Sequence, residues 1–200
     1  MARVLLATIY NSYSIVASAN RFSVDRIILL VDRTPNETMK ESIKLIEASL
    51  GSVLKVDKVA TDIYDIVGIA KQVVGLIDEI PQKDEIIVDV TSGRKPKSLA
   101  LLFAAYARSK HIKKIVYVTE EDPKQIITLP KMNYTLNATQ ASILEITRKQ
   151  IEATTVQVAQ KLGYTKAIVY RNVRELLEIS AIEKTGEELR LTDFGEILLL

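Results

Sequence analysis

The chain has 200 residues with 27 Lys and Arg, 25 Asp and Glu, one histidine and no cysteine, so its formal net charge is +2 at pH 7. The lack of cysteine excludes disulfides, thiolate metal sites and a cysteine nucleophile, and any Ser-His-Asp triad or histidine metal site would depend on His111 alone. We expect no metal and no cofactor. So small a net charge does not decide whether the chain binds nucleic acid.

The first two thirds of the chain alternate short Val- and Ile-rich runs with helical patterns, which predicts an α/β sheet. Predicted strands cover residues 3–10, 26–32, 52–60, 85–90 and 114–120, with an edge strand at 124–130, and predicted helices cover 12–22, 37–50, 63–80 and 96–111. Near-continuous apolar strands are typical of parallel sheets covered on both faces. We therefore expect a doubly wound, Rossmann-like sheet, with His111 capping or solvated at a helix end.

The longest apolar run, "LALLFAAYA" from Leu99, is about half of the roughly 18 residues that a membrane span needs. The first ten residues enter a strand pattern directly, without the cleavage site of a signal peptide. These features predict a cytoplasmic protein.

The segment "LPKMNYTLNATQ" (129–140) interrupts the alternation, and we place a domain boundary near Asn133, dividing the chain into residues 1–132 and 133–200. The second part shows three helical patterns, a strand, a polar turn, a second strand and a final helix. This order is typical of a winged helix-turn-helix.

Two polar loops follow the first and fourth predicted strands, namely "YNSYS" (10–14) and "TSGRKP" (91–96). In a doubly wound sheet with strand order 3-2-1-4-5, these loops face each other where ligands bind. The second loop has several features that would favour phosphate binding, namely hydroxyls, backbone amides near Gly93, two cations and a helix N-terminus at Pro96. The alternative is a solvated strand-to-helix turn.

Neither G-x-G-x-x-G nor G-x-x-x-x-G-K-[ST] is present, so the pattern favours an open site for a nucleotide backbone over a buried cofactor site. The candidate ligand-binding residues are Tyr10, Asn11, Ser12, Tyr13, Thr91, Ser92, Gly93, Arg94, Lys95 and Pro96.

The candidate DNA-recognition helix covers 165–179, and its periodicity predicts a buried side made by Ile168, Val169, Val173, Leu176 and Leu177. Candidate DNA-binding residues are Thr165, Lys166, Tyr170, Arg171 and Arg174 on this helix, and Lys184 and Arg190 on the wing. From Leu136 onward there are eight Lys and Arg against nine Asp and Glu, which is a weak basis for phosphate binding. A winged helix that serves only dimerisation or protein contact therefore remains an alternative.

The stretch "IIVDVTSGRKPKSLAL" (86–101), the loop "TIYNSYS" and the domain order resemble the CRISPR-associated Rossmann fold, CARF, fused to a winged helix, as in archaeal CRISPR transcriptional regulators. The resemblance implies a homodimer that binds a cyclic oligoadenylate, most often the tetra-adenylate, between its sensor domains. Arg94 and Lys95 would then meet phosphates, Ser92 and Gly93 would donate hydrogen bonds, and residues 11–13 would hold adenosine groups. The family's ribonuclease branch is disfavoured, because no histidine follows residue 111.

Our hypothesis is a cyclic-oligoadenylate-responsive transcriptional regulator of CRISPR loci in antiviral defence, binding promoter double-stranded DNA. One rival is a ring nuclease, in which Ser12 or Ser14 and Lys95 position a ribose hydroxyl in line with a phosphate. The other is an adaptor that does not bind DNA.

Overall fold

The computed structural model describes residues 1–122, 124–132, 135–150 and 153–200. Its contacts divide the chain into two compact units, Met1–Asn133 and Tyr134–Leu200. The expected boundary residue, Asn133, lies outside the described residues. Among the helices that are described, none combines the length and the apolar character needed to cross a bilayer.

The first unit is a mostly parallel six-stranded sheet with helices packed on it. Its strands are β1 (Arg3–Thr8), β2 (Arg26–Asp32), β3 (Lys55–Thr61), β4 (Glu85–Asp89), β5 (Ile112–Val118) and β6 (Ile126–Thr128), and its helices are α1 (Tyr13–Phe22), α2 (Glu37–Leu50), α3 (Ile66–Glu79) and α4 (Lys95–Ala107). The strand order is β3-β2-β1-β4-β5-β6, and only β6 is antiparallel to its neighbour. The predicted α/β, Rossmann-like class is confirmed.

The apolar strands explain this arrangement. β1 and β4 lie at the centre of the sheet, and each has consecutive buried residues after its first position. Leu5 and Ile27 are fully buried and Ile87 nearly so, and they pack in one cluster with α1 and α2. Burial of successive residues requires cover on both faces of the sheet, as the helices provide.

Several predicted bounds shift by a few residues. β3 begins at Lys55, because residues 51–53 form a turn in which the backbone N–H groups of Val53 and Leu54 donate to the Leu50 carbonyl. α4 ends at Ala107, four residues before its predicted end. His111 was expected at that helix end, but it instead directly precedes β5, and its Nε2 atom is buried without a hydrogen-bond partner among the described residues.

A buried ion pair joins the end of β2 to the first turn of α4. Lys97 is fully buried, and its Nζ lies 2.5 Å from Oδ1 of Asp32, which is itself 5% exposed. The other Asp32 oxygen lies 3.6 Å from Nε of Arg94. Burial lowers the pKa of Lys97, and the adjacent Asp32 carboxylate opposes that shift. β1 lies between β2 and β4 in the sheet, and α4 follows β4. The ion pair therefore connects β2 to α4 across β1 and holds the first turn of α4 in place.

The second unit has four helices and a small antiparallel sheet among its described residues. The elements are α5 (Ala138–Lys149), β7 (Ala153–Thr154), α6 (Thr155–Leu162), α7 (Lys166–Glu178), β8 (Ile182–Thr185), β9 (Glu188–Leu191) and α8 (Asp193–Leu198), with strand order β7-β9-β8. Asn137 and Thr154 form capping boxes that start α5 and α6. Gly186, at a positive φ of 62°, allows the tight turn between β8 and β9.

The buried face of α7 differs in one place from the predicted one. Val169, Val173 and Leu176 are buried in the core of this unit, as predicted. Ile168 was expected beside them, but 44% of its surface is exposed. The buried position that the pattern missed is Asn172, whose side-chain amide donates to the Ile168 carbonyl at 2.8 Å.

We predict that Lys97→Met lowers the free energy of unfolding of the first unit by about 3–5 kcal/mol, because it leaves the buried Asp32 carboxylate without its main partner. Urea denaturation followed by circular dichroism measures the change. The double variant Asp32→Asn/Lys97→Met removes both charges and should recover most of the loss. A single variant as stable as the double variant would contradict the role of the pair.

Candidate functional site

Two loops meet at the carboxyl edge of the sheet, one after β1 and one after β4. These two strands are adjacent and parallel. From β1 the chain continues to β2 in one direction across the sheet, and from β4 it continues to β5 in the other direction, so the strand order reverses between β1 and β4. α1 and α4 begin directly after the loops. Ligands of open α/β sheets bind in the crevice at such a reversal.

Ser92 ties the two loops together. Its Oγ accepts the backbone N–H of Tyr10 at 2.8 Å and that of Asn11 at 3.1 Å. Its carbonyl oxygen accepts hydrogen bonds from the hydroxyls of Thr8 and Ser98. Ser92 is only 5% exposed, so its hydroxyl and carbonyl act as a link between the loops.

Gly93 allows this close approach. Its φ is +93°, a conformation that L side chains rarely adopt, and a Cβ atom there would lie 2.8 Å from Cβ of Thr8. The preceding Thr91 is also used structurally, since its Oγ1 accepts the backbone N–H of Val118 at 2.8 Å. The hydroxyls of Thr91 and Ser92 thus hold the shape of the loop.

The cations of the second loop face solvent. Arg94 and Lys95 are exposed, and Arg94 is the N-cap residue of α4, which has no side-chain hydrogen bond to its first turn among the described residues. Pro96, expected at the first helical position, is the second, because α4 begins at Lys95. The helix dipole and the two flanking cations make this terminus suited to an anion.

The first loop adds an aromatic and a polar surface beside that terminus. Tyr10 is 41% exposed, whereas Asn11, Ser12 and Tyr13 are half-buried. Burial and the nearby Glu120 carboxylate raise the pKa of Tyr13, so its hydroxyl remains neutral at pH 7. An open depression of about 690 Å³ runs from Ser12 and Tyr13 along α1.

Asp89 lies beneath the loops and was not among the predicted residues. It is fully buried, accepts from the Ser18 hydroxyl at 2.7 Å and accepts from the backbone N–H of Thr91 at 2.9 Å. Burial raises its pKa, and the hydrogen bonds from Thr91 and Ser18 oppose the shift. An aspartate within the apolar run "IIVDV" was the available signal for it.

The candidate DNA-binding residues of the second unit are all exposed, on α7, at its N-cap Thr165 and on the β8–β9 hairpin. Arg171 pairs with Glu175 at 3.7 Å and Arg174 pairs with Glu178 at 3.0 Å, one turn further along α7. Lys184 and Arg190 of the hairpin likewise lie 3.3 and 3.9 Å from glutamates. Exposed pairs of this kind are weak, so a phosphate can replace the glutamate.

We predict that Asp89→Asn becomes more stable relative to the parent protein as the pH rises. A carboxyl with a raised folded-state pKa stabilises the fold at pH values below its ordinary pKa of 3.8, and that stabilisation is lost as the pH rises through the folded value. The difference should change by at most about 1.4 kcal/mol per pH unit. Urea unfolding of both proteins between pH 4 and pH 8 measures it, and a pH-independent difference would contradict the shift.

Solved structures share this fold. The chain has 16% identity to Can2 from Sulfobacillus thermosulfidooxidans, in complex with cyclic tetra-adenylate, with a TM-score of 0.52 over 98% of this chain and 63% of that one. Csm6 of Enterococcus italicus, bound to cyclic hexa-2′-fluoro-hexa-dAMP, matches at 10% identity and a TM-score of 0.53 over 89% of this chain and 54% of that one. The protein VC1899 from Vibrio cholerae matches at 13% identity and a TM-score of 0.53, covering 98% and 63%.

At these identities the comparisons show a shared fold. The chain spans 54–63% of the length of these three proteins. No curated protein sequence matches the chain. A family model described as "HFX_2341_N:-like, N-terminal" matches residues 5–123. Because this match covers more than half of the chain, the protein belongs to the HFX_2341_N:-like, N-terminal family.

Proposed function

We propose that the Met1–Asn133 unit senses a cyclic oligoadenylate, bound where residues 10–14 and 91–96 meet. The observation that carries this proposal is the Ser92 junction, which holds the Tyr10–Asn11 backbone against the loop that leads into α4. Beside the junction lie the exposed Arg94 and Lys95 and the N-terminus of α4, where the positive end of the helix dipole favours an anion.

The chemistry of the two loops fits an oligonucleotide better than a mononucleotide cofactor. Phosphodiester oxygens suit the N-terminus of α4 and the two cations, and the exposed Tyr10 ring offers a stacking surface for a base. Two of the proteins that share this fold, Can2 and Csm6, were solved with cyclic oligonucleotides bound. These likenesses support cyclic oligoadenylate as the ligand class, and we favour the tetra-adenylate.

We further propose that the sensor acts as a homodimer. A cyclic tetranucleotide has two-fold character, and an isologous dimer can present two copies of each loop to it. Each protomer would then contribute the same residues, Tyr10 to Tyr13 and Thr91 to Pro96, to opposite sides of the ring.

The output that we propose is transcriptional regulation of CRISPR loci, through a winged helix-turn-helix in the Tyr134–Leu200 unit. The order α6, α7, β8, β9 and the exposed face of α7 support this interpretation. Ligand binding across the dimer would change the spacing of the two recognition helices, and DNA half-sites read that spacing. The rival adaptor role draws support from the small charge of this unit and from the exposed Ile168 and Tyr170.

We predict that Lys95→Ala weakens cyclic tetra-adenylate binding by about 1.5–3 kcal/mol, or roughly 10- to 150-fold, because it removes a charge-assisted contact to phosphate. Isothermal titration calorimetry measures the affinity. Lys40→Ala, which removes an exposed lysine of α2 that pairs with Glu37, is the matched control and should leave the affinity unchanged.

Equal losses in Lys95→Ala and in the control would contradict the proposed position of the ligand. Chromatography of the recovered nucleotide separates the sensor from the rival ring nuclease. Intact cyclic tetra-adenylate supports sensing, whereas rapid formation of linear products would favour the nuclease.

We predict that Arg171→Ala/Arg174→Ala weakens binding to a palindromic promoter fragment at least tenfold. The magnitude of the slope of log K against log salt should fall by about two, because each lost phosphate contact contributes about 0.9 to that slope. Fluorescence anisotropy at several salt concentrations measures both quantities. Arg148→Ala/Lys149→Ala on α5 is the matched control, because it also removes two exposed cations that pair with a glutamate. Unaltered binding in the α7 variant would favour the adaptor.

A further inference from the structure

The opposite edge of the sensor sheet carries a concentrated positive charge. Two open depressions of about 360 and 310 Å³ lie where β1, β4 and β5 begin, and Glu85 and Lys113 line both. Among the described residues, seven Lys and Arg side chains line the two depressions against the carboxylates of Asp84 and Glu85. The cations are Arg3, Arg21, Lys83, Lys110, Lys113, Lys114 and Lys131. We call this surface the amino-edge patch.

A β-bulge presents two consecutive lysines of the patch to solvent. Ile86 of β4 pairs with Ile112, but Ile87 pairs with Lys114, so Lys113 is an extra residue in β5. Successive side chains of a regular strand point to opposite faces. Both Lys113 and Lys114 are exposed here, within a strand whose remaining residues are mostly buried. Bulges commonly redirect side chains at functional surfaces.

The positive charge of the patch is only partly neutralised by the described residues. The Glu85 carboxylate is shared by Lys113, at 2.9 Å, and Arg3, at 3.5 Å. Lys114 lies 5.6 Å from the centre of the Phe22 ring, a cation–π contact that leaves its charge in place. Lys131 donates to the main-chain carbonyls of Ser109 and Ile112, which also leaves its charge in place.

The nearby carboxylates keep their negative charges but are too few to cancel the seven cations of the patch. Asp84 accepts the backbone N–H of Ala2 at 2.7 Å, and Asp25 accepts that of Arg3 at the same distance. Arg108 forms a two-point pair with Asp78 close to the patch, and these two charges cancel. Lys83 and Lys110 stand exposed in turns at the rim. The patch therefore keeps a clear excess of positive charge.

The patch is separate from the candidate ligand site. The parallel strands begin at the patch and end at the loops, and the five residues of β4 span about 17 Å at 3.3 Å per residue. A cyclic ligand held by Arg94 and Lys95 leaves the patch uncovered.

We propose that the amino-edge patch binds the phosphate backbone of double-stranded DNA. Open depressions with many cations suit an extended polyanion, and protein–DNA interfaces are more polar and more positively charged than protein–protein interfaces. A protein partner would need an apolar centre, but Ile87 and Ile112, which line the depressions, are almost fully buried, and the partly buried Phe22 ring lies under Lys114. This surface goes beyond the proposed function, since it depends neither on the cyclic ligand nor on α7.

The test uses the full chain and a 20-base-pair duplex of mixed sequence without a promoter site. The variant Lys110→Gln/Lys113→Gln/Lys114→Gln should lose at least tenfold in affinity at 100 mM salt, and the slope of log K against log salt should fall by about two to three. The matched control Lys40→Gln/Lys44→Gln/Lys58→Gln removes three exposed lysines from α2 and β3 and should stay within about threefold of the parent.

A second variant, Lys83→Gln/Lys110→Gln, keeps the proposal testable if β5 does not tolerate three substitutions, because both lysines stand in turns. It should lower the salt slope by about two. Losses equal to those of the control, or no duplex binding by the parent protein at 50 mM salt, would overturn the proposal and favour an acidic protein as partner. Arg171→Ala/Arg174→Ala, measured in parallel, reports on α7 alone, so failure of the winged-helix proposal is distinguishable from failure of the patch.

Discussion

The hydrogen bonds of Ser92 are the constraint on which the candidate site depends. One residue accepts two backbone N–H groups from the loop after β1 and two hydroxyls from Thr8 and Ser98. Gly93 makes this contact sterically possible, because any Cβ atom there would meet Thr8. With the loops joined in this way, the exposed cations of the second loop stand next to the aromatic and polar groups of the first.

Lysine and arginine residues of the Met1–Asn133 unit perform three different physical tasks. Lys97 is buried against Asp32 and sets the start of α4, so its charge contributes to the fold. Arg94 and Lys95, within three residues of it, are exposed and available to an anion. Lys113 and Lys114 of the amino edge are brought to the surface by a bulge, and the lysines of this edge have few carboxylates near them. Basic residues that are neighbours in sequence therefore have different roles because they differ in burial. The small net charge of the chain gives no sign of this difference, because it sums over all the charged residues.

The two units supply the two halves of a signalling protein as we propose it. The Rossmann-like unit offers an open edge for a cyclic nucleotide, and the second unit offers an exposed helix with cations that are held only by weak surface pairs. The second unit carries eight Lys and Arg against nine Asp and Glu, which is a weak basis for phosphate binding. The amino-edge patch on the first unit would supply further phosphate contacts. The Met1–Asn133 unit would then contribute both to ligand binding and to DNA binding.

The sequence by itself determined the α/β class and the two polar loops, because apolar strands and polar turn residues leave strong local patterns. The placement of Tyr10, Asn11, Ser92 and Gly93 at one edge of the sheet rested on an assumed strand order, 3-2-1-4-5, which the structure has. Only the tertiary structure decided that Ser92 and Thr91 hold the loops in place, that Lys97 and Asp89 are buried, that Ile168 is exposed and that Lys113 sits in a bulge. Most of these depend on a partner far away in the chain, such as Asp32 for Lys97, and a local pattern carries no information about such a partner.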